Sequence, residues 1–112
     1  LDDIMLLKIG RHIRPRPHFK MIISREEGET HFLEGYKKQF VWIKTVSHSG
    51  PLTLLDGIGI TEDDIQLAAQ LTARFSQGKQ AEHVICRYAY PQQETVEISV
   101  SPAIEPPEQW ML

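Results

Sequence analysis

At 112 residues, 41% hydrophobic and 24% charged, the chain has the length and composition of one globular domain with its own core. No run approaches the roughly 20 apolar residues of a membrane helix, and the start, Leu1-Asp2-Asp3, lacks the basic region of a signal peptide. The single cysteine, Cys86, excludes an internal disulfide and suits a reducing, cytoplasmic setting.

The net charge of −3 conceals a polarised chain. Residues 1–25 hold six lysines and arginines against two acids, whereas residues 26–112 hold six against thirteen. Between Asp3 and Glu26 there is no acidic residue, and that interval carries Lys8, Arg11, Arg14, Arg16, Lys20 and Arg25 together with His12 and His18. A concentrated basic segment on an otherwise acidic domain is the footprint of a partner rich in phosphate.

In chain order, residues 4–9 (IMLLKI) and 19–24 (FKMIIS) read as short strands. Pro15 and Pro17 between them bias the preceding arginines to extended geometry, which predicts an exposed loop tip carrying Arg14 and Arg16. Residues 26–38 read as a helix with acids at its start and Lys37 and Lys38 at its end, weakened by Gly28 and Gly35. Residues 40–46 (FVWIKTV) are β-branched and aromatic, hence a strand; SHSGP is a turn, PLTLL a second strand and DGIGI a loop. Residues 62–76 form the best helix, with Thr61 as N-cap, Asp64 at the capping-box position, a buried face of Ile65, Ala68, Leu71 or Thr72 and Phe75, and Gly78 as the stop. Two strands close the domain: Val84, Cys86, Tyr88 and Tyr90 share one face of the first, and Val96, Ile98 and Val100 alternate with Glu97 and Ser99 in the second. Short connections predict an α+β fold: about six short strands in an antiparallel or mixed sheet, with two helices packed on one face. Residues 1–101 form this domain, residues 102–112 read as an acidic, proline-containing tail, and both ends suggest a domain excised from a larger protein.

Motifs for catalysis are weak. There is no Walker A loop, and the Gly57 and Gly59 pair lacks the third glycine of a dinucleotide fingerprint. The five histidines, at positions 12, 18, 31, 48 and 83, show no metal-ligand spacing. Cys86 lies in an apolar strand face, where cysteine packs as a small hydrophobe, and His48-Ser49 lacks a nucleophile elbow. No catalytic residue, cofactor or metal is expected.

Several segments carry a resemblance. SREEGETHFLEGYKK, FVWIK, SGPLTLLDG and TEDDIQLAAQLTARFSQGKQAEHVICRY together resemble an NFACT-R-type domain, a predicted RNA-binding module. Arg25 matches its opening arginine, Trp42 its strand tryptophan, Gly50-Pro51 its turn, and Ala68, Ala69, Phe75 and Ser76 its helix. With LLKIGRHIR included, the chain is most similar to the version forming the C-terminal domain of bacterial PP-loop proteins related to tRNA thiouridine synthases, over residues 5–101. It departs from the pattern at Ser24, Thr30 and Lys44, where Gly, Asn and His are usual. The resemblance implies an accessory RNA-binding role, toward tRNA, beside a catalytic domain lying N-terminal in the full-length protein.

On this reading Lys8, Arg11, His12, Arg14, Arg16, His18, Lys20 and Arg25 contact RNA. Trp42, with Phe19 and the two histidines, offers a stacking surface, although a tryptophan in such a strand more often packs in a core. The alternative is a protein-interaction or dimerisation domain, docking on its own catalytic domain or on a second copy.

Overall fold

The computed structural model describes residues 9–111. Lys8 and most of the strand expected over 4–9 lie outside them. Six strands form one antiparallel sheet: β1 (Arg11–Arg16), β2 (Phe19–Ile23), β3 (Val41–Thr45), β4 (Leu52–Gly57), β5 (Val84–Ala89) and β6 (Val96–Val100), in the order β1-β2-β4-β3-β5-β6. The helices are α1 (Glu27–Glu34) and α2 (Glu62–Arg74). The α+β class, the antiparallel sheet and the two helices among the described residues agree with the sequence reading, as do five of its six strands; β1 occupies the segment read as a turn.

The helices do not share a face. Ile65, Ala68, Ala69, Leu71 and Ala73 of α2 pack with Phe19, Met21, Ile23, Val41, Ile43, Val84 and Cys86. Leu33 of α1 packs with Ile22, Trp42, Leu52, Leu54 and Ala89 on the other side. The strand alternation requires both layers. In β2, Met21 and Ile23 point to one side and Ile22 to the other, and each is essentially inaccessible to water. A central strand that is apolar on both sides needs two covers, each large side chain so buried contributing about 1.5–3 kcal/mol.

The β1–β2 ribbon corrects the expected loop tip. Arg14 and Arg16 are in strand β1, and the turn is Pro17-His18. Pro15 is tolerated because β1 is an edge strand and its register with β2 shifts between Ile13 and Arg16. Gly10 precedes it at φ +81°, and a Cβ there would lie 2.9 Å from the Ile23 carbonyl oxygen, so only glycine fits.

Helix α1 ends at Glu34, four residues short of the expected boundary, as Gly35 passes the chain into successive turns. Helix α2 begins as expected. The Asp64 amide donates to Thr61 Oγ1 at 3.2 Å, and the Thr61 amide donates back to Asp64 Oδ2 at 2.9 Å. Phe75 caps α2 and is half-buried, not fully inside. The segment read as a tail returns over the domain. Arg74 pairs with Glu105 at 2.9 Å, Ile104 and Trp110 pack against the α2-side core, and Met111 bridges to Ile13 on β1.

Candidate nucleic-acid interface

Strand alternation and local acids divide the basic segment. Arg11 lies on the α2 side of the sheet, with its guanidinium carbon 4.4 Å from the centre of the Phe75 ring. His12 pairs across to Ile22, on the other side, and its Nε2 is 3.1 Å from the Ile9 carbonyl. Arg14 is exposed and donates to the Pro17 carbonyl at 3.1 Å. The register shift brings Arg16 opposite Phe19, on the α2 side, where it meets Asp64 at 2.5 Å and Asp63 at 2.9 Å. His18 donates to the other oxygen of Asp64 at 2.6 Å. Lys20 stands opposite Asp56 in the register. The seven candidates among the described residues therefore do not form one continuous face, and Arg16 and His18 are held by the start of α2.

Asp64 is the centre of that anchor. Burial raises its carboxyl pKa, but hydrogen bonds from His18, the Thr61 amide and Arg16 outweigh this and hold it well below the usual carboxylate range. Its hydrogen bond also raises the pKa of the Arg16 guanidinium.

Arg25 is paired differently. Its Nη2 donates to Glu29 at 2.7 Å and its Nε at 3.1 Å, while the amides of Arg25 and Gly10 donate to the same carboxylate at 2.8 and 3.0 Å. The Arg25 side-chain bond leads the causes that bring the Glu29 carboxyl down to about 2, against the opposing effect of burial. The Arg25 side chain nevertheless remains 53% exposed. Glu29 fixes its root and leaves its head at the surface.

That head borders a concavity at the end of the sheet. A cavity of about 460 Å³ opens between the start of α1 and the end of α2, lined by Ser24, Arg25, Thr30, Gly50, Phe75 and Gln77 among others. A smaller one of about 90 Å³ shares Thr30, Gly50 and Pro51 with it and reaches Lys44, Lys37 and Glu34, the last two paired at 3.6 Å. Together they make one groove over the end of the sheet. One mouth is edged by Arg25 and by Phe75, whose ring carries the Arg11 guanidinium; the other is edged by Lys37 and Lys44. Lys44 on β3 and Lys37 after α1 were not among the sequence candidates. Their distance from the basic segment in the chain left no local signal.

The wall between α2 and the groove is fixed. The β3–β4 loop is tied by Thr45 Oγ1 donating to the His48 carbonyl at 2.8 Å and by the Gln77 amide donating to the Ser49 carbonyl at 2.7 Å. A Cβ on Gly50 would lie 2.5 Å from both Ser76 Cβ and Thr45 Oγ1, so the loop closes this tightly only with glycine. On the opposite wall the Ser24 and Thr30 hydroxyls meet at 2.6 Å, and Ser24 Oγ accepts from the Leu52 amide at 3.0 Å. Two of the departures from the family pattern are thus one contact.

Trp42 is not an open platform. It is 9% exposed, and Lys37 Nζ sits 4.4 Å over its ring. Phe19 is fully buried. Phe75 is the half-buried aromatic that lines the groove. Cys86 is inaccessible, and burial pushes its thiol up to about 11, which suits packing. Among the described residues no cluster of three His, Cys, Asp or Glu side chains could hold a metal. No helix among them is long and apolar enough to cross a membrane.

The fold is thus a sheet covered on both faces, with a groove edged by cations at its end. Residues 10–111 match the family described as the NFACT protein RNA binding domain. The chain belongs to that family. Its fold is similar to the C-terminal region of a fibronectin/fibrinogen-binding protein from Streptococcus suis, with TM-score 0.70 and 12% identity, over 92% of this chain and 47% of that one. The chain thus spans about half the length of that structure, and identity at this level speaks for the fold alone. No curated protein matches the sequence significantly. Neither the family description nor the solved structure names a PP-loop protein or tRNA thiolation. The family is shown; that narrower likeness is not.

Proposed function

We propose that this domain holds RNA along the groove at the end of its sheet and supplies affinity, not chemistry, to the protein that contains it. The observation that carries this reading is the convergence of Arg25, Lys37 and Lys44 on two cavities with shared walls, with Arg11 held beside them over the Phe75 ring. Charges that converge from distant sequence positions neutralise neighbouring phosphates together, and this electrostatic contribution is the main source of affinity for nucleic acid. Arg14 and Lys20 extend the positive field along the ribbon. Arg16 and His18 serve the fold. tRNA, with both paired stems and unpaired ends, is the natural first ligand, and a catalytic domain preceding this one is the natural source of any reaction. Both of these narrower statements rest on the resemblance.

A filter-binding titration with total tRNA across a salt series tests the reading. The logarithm of the binding constant should fall with the logarithm of salt by about 0.7 per phosphate contact on single-stranded segments. Joint replacement of Lys37 and Lys44 by Ala should weaken binding and flatten the slope by about 1.4. Glu97→Gln, on β6, should change neither. Salt-independent binding, or parental binding by the double variant, would refute the groove.

One observation favours the protein-docking alternative. Ile58, in the β4–α2 loop, is 86% exposed, beside a cavity of about 330 Å³ lined by Phe40, Ile60, Tyr90 and Pro91 at the opposite end of the sheet. Sedimentation of the parent and of Ile58→Glu reads this directly: a dimer lost in the variant would establish association through that end.

A further inference from the structure

We infer that the larger cavity takes a single unpaired nucleotide, with its phosphate at Arg25 and Arg11 and the amino-bearing edge of its base toward Glu26 and Glu27. This deepens the RNA reading and rests on it. The size of the cavity sets the ligand. About 460 Å³ lies within the range of pockets that enclose one small organic molecule. Its walls are the pinned β3–β4 loop, the end of α2 and the start of α1, so it does not widen easily to admit a helix of paired strands. A duplex keeps its bases stacked inside and has none to offer, whereas a single strand, a loop or a frayed end does.

Charge sets the orientation. Glu26 and Glu27 line the cavity on the α1 side, are exposed, and form no ion pair among the described residues. They repel a phosphate but accept hydrogen bonds from an exocyclic amine. Arg25 presents its exposed guanidinium at the cavity edge. Arg11 lies over the ring of Phe75, the aromatic wall of the same cavity. The base therefore has an aromatic edge to lie against and carboxylates to accept from, and the phosphate has the arginines. Uracil, which carries no amino group, fits this arrangement least.

Four RNAs of equal length test the inference with the intact domain at one ionic strength: oligocytidylate, oligouridylate, a blunt duplex and a hairpin with an unpaired loop. The cavity is filled independently by Ser49→Phe, at an exposed position on its rim, with circular dichroism and a melting curve to confirm folding. The expected result is single-stranded and loop RNA bound about tenfold or more tighter than the duplex, the scale of one stacked base, with cytidylate ahead of uridylate. Ser49→Phe should abolish that preference while leaving the weak duplex binding in place. A duplex bound as well as the single strands, with Ser49→Phe changing neither, overturns the nucleotide pocket. If Lys37 and Lys44 still matter in that case, the RNA surface stands without the pocket. If no RNA binds the folded domain at all, both readings fall.

Discussion

Replacing Asp64 should be the most damaging single change to a charged residue. Its side chain is 1% exposed and accepts from Arg16, His18 and the Thr61 amide at 2.5, 2.6 and 2.9 Å. Asp64→Ala removes the acceptor half of the capping box, about 1 kcal/mol, and leaves the Thr61 amide, the Arg16 guanidinium and the His18 ring nitrogen without their partner. Breaking a buried ion pair costs about 3–5 kcal/mol. Arg16 and His18 are 34% and 40% exposed and recover some hydration, so the total should sit at the lower end, about 3 kcal/mol. For a domain of this size that lowers the melting temperature by roughly 12–20 °C. Asp64→Asn keeps an oxygen for the Thr61 amide and should cost only about 1–2 kcal/mol. The pH dependence has a definite sign. The carboxyl titrates lower in the folded chain than its ordinary value of 3.8, so its contribution is intact above that value and is lost as pH falls toward the folded one. Urea titrations of the parent and both variants from pH 7 to pH 3 check each part. Asp64→Ala within 1 kcal/mol of the parent, or no worse than Asp64→Asn, would refute the anchor.

Arg16→Ala and His18→Ala should lower stability and leave the salt slope for RNA unchanged, whereas Lys44→Ala should reduce the slope by about 0.7 and barely move the melting curve; a salt series combined with calorimetry distinguishes these effects. Glu29→Gln removes the charge facing Arg25 and should strengthen RNA binding several-fold. It should also flatten the acid limb of stability between about pH 4.5 and pH 2, where the depressed Glu29 carboxyl takes up its proton; denaturation followed against pH reads this. Phe75→Ala should cost about 2 kcal/mol by chemical denaturation, below the 3–5 of a fully buried ring because this one is only partly buried, and should weaken single-stranded RNA more than duplex. Gly50→Ala should lower the melting temperature markedly, since its Cβ meets two atoms at 2.5 Å in a loop tied at both ends.

Helical spacing and the Thr61-Asp64 pair specified α2 because both are local signals, and they survived contact with the rest of the chain. The β1–β2 ribbon was misread for an equally physical reason. Pro17 does open the turn, but Pro15 lies within β1, because an edge strand with a shifted register does not need every ladder amide. The placement of both helices on one face failed because β2 and β4 were not read as apolar on both sides, although Met21-Ile22-Ile23 and Leu52 to Leu55 already show it. The basic stretch was visible as charge, but charge in sequence carries no direction. Alternation separates Arg11 from His12, the register shift turns Arg16 toward Asp64, and Glu29 gathers the Arg25 side chain with the amide of Gly10. The two lysines at the far mouth of the groove enter through the sheet order, since β3 is adjacent to β4 and α1 packs across them, and no local pattern encodes that adjacency. Cations that serve the fold and cations that serve a ligand therefore look alike until the acids that claim them are in place. In this domain Asp63 and Asp64 claim Arg16, whereas Glu29 and Glu34 pair with Arg25 and Lys37 at the groove itself. Asp63 and Asp64 hold Arg16 and, through Asp64, His18 against the start of α2. Glu29 anchors Arg25 with its head still in water, at the edge of a cavity where an aromatic ring and carboxylates meet.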